Sequence, residues 1–118
     1  MLARKLRFHG HGSLKYLYKN AATYRSRYMT VRAIKNPRRK TSRVCVVVSK
    51  KVHKSAVGRN RIRRRVYEIV RLQLPHMQQT RDIAIIVTNA EVRTANYEDL
   101  TKSLTELLVQ TGVYANTP

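Results

Sequence analysis

Two short apolar runs bracket one long amphipathic stretch, and that order constrains the fold more than any other feature of the sequence. Residues 44–48, VCVVV, and residues 83–87, IAIIV, are apolar at every position. A strand without polar alternation is one that is covered on both faces. Between the runs, Ile62, Val66, Ile69, Val70 and Gln73 share one face at about 100° per residue, which predicts a helix over 55–74. Pro75 ends it, because Leu74 is restricted by the proline ring behind it. Strand, helix, strand in this order is a βαβ unit, and uniformly apolar strands imply a sheet covered by helices.

The remaining segments attach to that unit. Leu14, Leu17, Tyr18 and Ala21 fall at helical spacing behind Ser13, a suitable cap, so a short helix is expected there. Residues 28–34 alternate loosely and read as a strand. Residues 36–42, NPRRKTS, form a polar loop. Asn96 is placed to cap a last helix, with Glu98 and Asp99 in its first turn, where they favour the helix dipole. Leu100, Leu104, Leu107, Leu108 and Thr111 form its core face, and Gly112 is a plausible stop. There is no repeat and no interdomain linker. The expectation is one α/β domain over residues 1–118, an α-β sandwich with a small sheet, with 1–12 a basic arm and 113–118 a tail.

Charge is distributed as unevenly as hydrophobicity. The chain of 118 residues carries a net charge of +19. Residues 1–67 hold 21 Lys or Arg and no acid, since the first acid is Glu68; residues 68–118 hold four basic and six acidic residues. Self-repulsion on this scale opposes a compact fold, and a polyanion relieves it. Nucleic acid is the expected polyanion. An anionic membrane fits less well, because no basic amphipathic helix with Trp or Phe anchors stands out and no apolar run approaches the ~18 residues of a spanning helix. The Arg-rich, acid-free start superficially suits a mitochondrial transit peptide, but the basic bias runs far past any usual cleavage point. The single cysteine, Cys45, excludes an internal disulfide or a Cys-rich metal site and reads as a small buried hydrophobe.

The densest charge is SKKVHKSAVGRNRIRRR, residues 49–65. On the helix wheel Arg59 and Arg63 lie at one margin of the apolar face, and Arg61 and Arg65 at the other. Asn60 and Arg64 lie further round on the solvent side. Arginines at a margin pack their stems on the domain and turn the guanidinium outward. A solvated face ordinarily mixes both signs; this one is acid-free and continuous with Lys50, Lys51 and Lys54. Arginine suits phosphate because its planar fork offers two hydrogen bonds. Asn60 could read a base or sugar edge or brace a neighbouring loop. Within the chain, Glu68 is placed to pair with Arg64 at i,i+4.

Rival classes have less support. A protein-only nuclease needs acid and base groups, yet His9, His11, His53 and His76 have no carboxylate partner in the acid-free part. No phosphate loop or nucleophile motif is present. A DNA-binding helix-turn-helix needs a partner helix just upstream, where the apolar strand stands instead. A structural RNA-binding protein fits charge and size equally well.

Ser49-Lys50-Lys51-Val52, Ala56-Val57 and Arg59-Asn60-Arg61-Ile62-Arg63-Arg64 resemble the signature of the bacterial ribonuclease P protein subunit. In that family a strand ending in SKK precedes a helix opening with RNR. The similarity extends over about residues 3–112. The resemblance implies a mixed sheet of about four strands, where the residues alone yield three, with three helices and a left-handed βαβ crossover. It implies an endoribonuclease ribonucleoprotein in which an RNA is the catalyst, the protein assists, and the 5′ leader of precursor tRNA is removed. Lys50, Lys51, Lys54, Arg59, Asn60, Arg61, Arg63, Arg64 and Arg65 are then the RNA-contact set. Tyr18 matches an aromatic of the leader cleft or is a core residue, and Tyr28 is likewise cleft or core. No residue of the protein is expected to be catalytic or to bind metal; magnesium belongs mainly to the RNA. The partners implied are the catalytic RNA and precursor tRNA, in the cytoplasm, with no membrane and no obligate protein partner.

The chain departs from the family pattern at several positions. Leu14 and Val31 fall where cleft aromatics are expected, and His53 replaces the usual Gly after SKKV. Gly58 sits just before the arginines and is expected to loosen the first turn. Tyr67 occupies a position often basic in the family.

Overall fold

A computed structural model describes residues 21–35 and 42–114. Its elements in chain order are β1 (Ala22–Arg25), β2 (Met29–Lys35), β3 (Arg43–Val48), α1 (Ala56–Gln73), β4 (Arg81–Val87) and α2 (Tyr97–Thr111). Short 3-10 turns lie at Leu74–His76 and Ala90–Arg93. The four strands form one sheet in the order β1-β2-β4-β3. β3 and β4 run parallel, with Val44 opposite Ile83 and Val48 opposite Val87. β2 pairs antiparallel with both β1 and β4, so the sheet is mixed. The expected βαβ unit is therefore present. Of the helix expected over 14–21 only Ala21 lies within the described residues, and it is not helical.

β1 is the strand that sequence reading missed. It is four residues long and half-polar, and it joins β2 through Ser26–Tyr28 without Gly, Asn or Pro. The turn is held by Ser26, whose backbone N–H donates to the Met29 carbonyl at 2.9 Å.

The register assigns each side chain to a face. Rows Ala22–Ala33–Ile83–Val44 and Tyr24–Val31–Ile85–Val46, with Met29–Val87–Val48, make the main core face. Both helices pack there, α1 against β3 and α2 against β1 and β2. Ile62, Val66, Ile69 and Val70 of α1 and Leu100, Leu104, Leu107 and Leu108 of α2 are buried in one cluster with these strand residues. Val31 is fully buried in that core, so it is not a cleft position, contrary to expectation. Pro75 falls in the first turn of the 3-10 segment after α1, which ends the regular helix as predicted.

The opposite face carries rows Thr23–Arg32–Ala84–Cys45, Arg25–Thr30–Ile86–Val47 and Ile34–Asp82–Arg43. Cys45 and Ala84 are buried there, but Val47 and Ile86 are only half-buried, so this face is less fully covered than the apolar runs imply. Burial pushes the Cys45 thiol pKa up, and nearby Arg63 draws it partly back. At one end Arg43 grips Asp82 with two hydrogen bonds, Nε to Oδ1 at 2.9 Å and Nη2 to Oδ2 at 2.7 Å. That bidentate pair is largely buried and ties the ends of the two parallel strands.

Candidate nucleic-acid interface

The basic stretch begins in a tight turn. The backbone N–H groups of Val52 and His53 donate to the Ser49 carbonyl at 3.1 and 3.3 Å, which leaves Lys50 and Lys51 exposed at the end of β3. Ser55 caps α1; its Oγ accepts from the Gly58 N–H at 3.2 Å. The first turn of α1 contains no acid.

Gly58 has a packing reason that spacing did not show. A Cβ built on it would lie 2.2 Å from Cε1 of the His53 ring. The imidazole therefore lies directly on the helix backbone. The two departures from the family pattern, His53 and Gly58, occupy one spot: the side chain gained at 53 fills the space that a side chain at 58 would need.

The arginines divide into two groups. Arg59 donates from Nη1 to the carbonyls of His53 and Lys54 at 3.0 and 2.8 Å and so braces the turn before its own helix. Arg65 donates from Nη1 to Val92 O at 2.7 Å and from Nη2 to Ala95 O at 2.6 Å, fastening the segment after β4 to α1. Arg63 is half-buried and donates to Oδ1 of Asn60, which gives Asn60 a bracing role inside the helix. Arg61 and Arg64 are exposed and have no hydrogen-bond or ion-pair partner among the described residues, and the same holds for Lys50, Lys51 and Lys54. Arg59, Arg63 and Arg65 are half-buried, as the wheel margins imply, whereas Arg61 is exposed; three of the five arginines are already held by the protein.

Glu68 does not pair with Arg64. Its carboxylate accepts from Arg71, three residues on, and that hydrogen bond holds its pKa below the usual range. Glu before Arg is the favoured order along a helix, so Arg64 is left facing solvent. Tyr67 is buried, and its hydroxyl accepts from the Val46 N–H at 3.2 Å. It thereby satisfies a backbone donor on the outer side of β3, an edge strand. Tyr28 is partly buried and packs against the main core, with the Arg27 guanidinium 5.3 Å from its ring centroid. Tyr18 lies outside the described residues. Arg93, which no local signal marked, reaches His53 with Nη1 3.0 Å from Nε2.

The fold and the site together define a class: a small α/β domain with a mixed four-stranded sheet, whose parallel βαβ unit carries an acid-free arginine helix. Comparison with known proteins narrows the class. The sequence profile of the ribonuclease P family matches residues 2–112. A ribonuclease P protein component of Clostridium botulinum is 36% identical over 85% of this chain and 88% of its own length. Another from Thermus oshimai is 41% identical over 77% of this chain, which spans 55% of that longer protein. The Staphylococcus aureus RNase P protein superposes with a TM-score of 0.81 at 24% identity, covering 93% of this chain and 98% of the other. The Thermotoga maritima protein gives 0.79 at 23%, covering 88% and 96%. The chain belongs to the ribonuclease P family. A ribonuclease P protein component is part of an endoribonuclease holoenzyme and associates with the ribonuclease P RNA.

Proposed function

We propose that this chain is the protein subunit of an RNA-based ribonuclease P. It docks on the catalytic RNA through α1 and the preceding turn and assists removal of the 5′ leader from precursor tRNA. The observation that carries this reading is the group of exposed cations in and beside the SKK and RNR motifs, Lys50, Lys51, Lys54, Arg61 and Arg64, none of which has a partner among the described residues. Five cations without an acid are a cost to the free protein and a match to a phosphate backbone. Arg59, Asn60, Arg63 and Arg65 hold that surface in shape while their remaining donors complete it.

The precursor's leader lies on the sheet face opposite the main core, where Arg25 and Arg32 border the apolar row through Ile86 and Val47. Tyr18 stacks a leader base, for ~1–3 kcal/mol as in other single-strand binders. The RNA performs the cleavage and binds the magnesium. The protein offsets phosphate repulsion, so the RNA needs less magnesium. A third helix ahead of Ala21, the left-handed crossover and a cytoplasmic location belong to the same reading.

The test is cleavage of a precursor tRNA by a bacterial ribonuclease P RNA at low magnesium, with and without the protein. Cleavage that needs both supports the reading. Binding of the RNA without any gain in cleavage transfers support to a purely structural RNA-binding protein. Cleavage by the protein alone would place the chemistry in its side chains and overturn the assignment.

A further inference from the structure

His53 sits between two groups that can only donate. Its Nδ1 is 3.2 Å from the Ser55 backbone N–H, and its Nε2 is 3.0 Å from Nη1 of Arg93. Imidazole cannot satisfy both. If Nδ1 accepts from Ser55, a neutral ring carries its hydrogen on Nε2, pointing at a guanidinium that has no lone pair. If Nε2 accepts from Arg93, the hydrogen on Nδ1 meets the Ser55 N–H instead. The cationic ring faces donors on both sides. In every protonation state at least one N–H is aimed at another N–H.

Ser55 cannot move to resolve the conflict, because it caps α1 and its N–H is backbone. Arg93 has an exposed side chain and accepts no correction from a nearby acid. Among the described residues Glu91, Asp82 and Glu68 are taken by Arg27, Arg43 and Arg71, and no carboxylate or carbonyl accepts from Arg93. What the pair lacks is an acceptor with two oxygens.

Both members are held in place beforehand. The His53 ring lies on Gly58. The Arg93 segment is anchored by fully buried Val92, and Arg65 holds the Val92 and Ala95 carbonyls on either side of Arg93. Asn89 turns the start of the segment by accepting from the Glu91 N–H at 2.9 Å. Groups fixed before binding lose less entropy when the ligand arrives.

We propose that His53 and Arg93 form a phosphate-binding site that takes one backbone phosphate of the ribonuclease P RNA, extending the docking surface from α1 onto the segment after β4. This rests on the RNA-docking reading above. His53 Nε2–H donates to one non-bridging oxygen and the Arg93 guanidinium to the other. Arg65 is a positioning residue for the site, because it acts through the segment that carries Arg93. The site joins two loops that are 40 residues apart in the chain, so it reads the spatial relation between β3–α1 and β4–α2.

The test compares assembly of full-length wild type, Arg93→Gln, His53→Ala and Arg61→Ala with ribonuclease P RNA across a salt series, beside thermal melts of each free protein. The expected result for Arg93→Gln is about tenfold weaker assembly and a salt slope flatter by ~0.7–0.9, with an unchanged melt. His53→Ala weakens assembly several-fold, and a His53→Ala/Arg93→Gln double variant, measured beside them, loses little more than Arg93→Gln alone, because the two share one phosphate. Unchanged assembly and slope in Arg93→Gln, with Arg61→Ala weakened, overturns this site and leaves the docking reading standing. If Arg61→Ala is also unchanged, the docking reading has failed and the site with it. Inorganic phosphate is titrated alone, read by the His53 ring resonances. If it binds the wild type while the RNA slope ignores Arg93→Gln, the site serves free phosphate and the RNA assignment is wrong.

Discussion

The two helices of this domain obey different rules. α2 is locally consistent from end to end. Asn96 caps it by accepting from the Glu98 N–H at 2.8 Å, Glu98 and Asp99 sit in its first turn, and Gly112 closes it with φ of 80°. α1 has a serine cap but no acid in its first turn, and Arg59, Arg61, Arg63, Arg64 and Arg65 follow at once. A cation in the first turn of a helix, such as Arg59, is unfavourable by up to about 1 kcal/mol, and like charges crowded on the next turns repel one another. Both helices bury an apolar stripe against the same sheet face. Packing therefore holds α1 where local electrostatics oppose it, and the helix that breaks the local rule is the one to which the proposed function assigns the RNA.

The largest expected effect tests whether packing holds both helices alike. Leu104→Ala on α2 and Ile62→Ala on α1 each remove a fully buried side chain and should each lower unfolding free energy by ~2–5 kcal/mol in urea titration. A loss below about 1 kcal/mol at Ile62 would mean that α1 is not held by its core face. Gly112→Ala comes next and touches α2 alone. It forces a side chain into the left-handed region and should cost about 1–2 kcal/mol, read as a lower Tm, with Gly112→Asn losing less. The smallest effect belongs to α1. Gly→Ala in an open helix gains ~1 kcal/mol; at Gly58 the His53 ring occupies the space. Gly58→Ala should gain nothing in the wild type and recover about 1 kcal/mol in a His53→Ala background, a coupling that a double-mutant cycle measures. Additive effects would remove His53 from the helix surface.

What was legible in the sequence follows the same division. Periodicity and caps located β3, α1, β4 and α2, because apolar runs, Asn96, Gly112 and Pro75 are strong local signals. β1 was not legible, since ATYR neither alternates cleanly nor ends in a recognisable turn. The wheel placed Arg59, Arg63, Arg64 and Arg65 correctly on α1, but it could not see that Arg59 and Arg65 are committed to carbonyls, or that Glu68 turns to Arg71 rather than Arg64. Those partners are set by tertiary approach or by choice between two arginines in reach, which spacing alone does not decide. The role of Arg93 and the backbone partner of Tyr67 were not legible for the same reason: each acts on an element distant in sequence. Val31 shows the converse error, where the family pattern led to a cleft aromatic being expected at a position whose strand register points into the core.

The central claim is that the exposed arginines of α1 are unpaired only until RNA arrives. The most direct measurement is the salt dependence of assembly with ribonuclease P RNA for wild type and for Arg61→Ala/Arg64→Ala, with the free-protein stability of each measured in parallel. The account predicts that stability stays within about 0.5 kcal/mol while the slope of log affinity against log salt flattens by ~1 per lost phosphate contact. An unchanged slope and affinity in the double variant would contradict it, and would leave the charge of α1 without a partner.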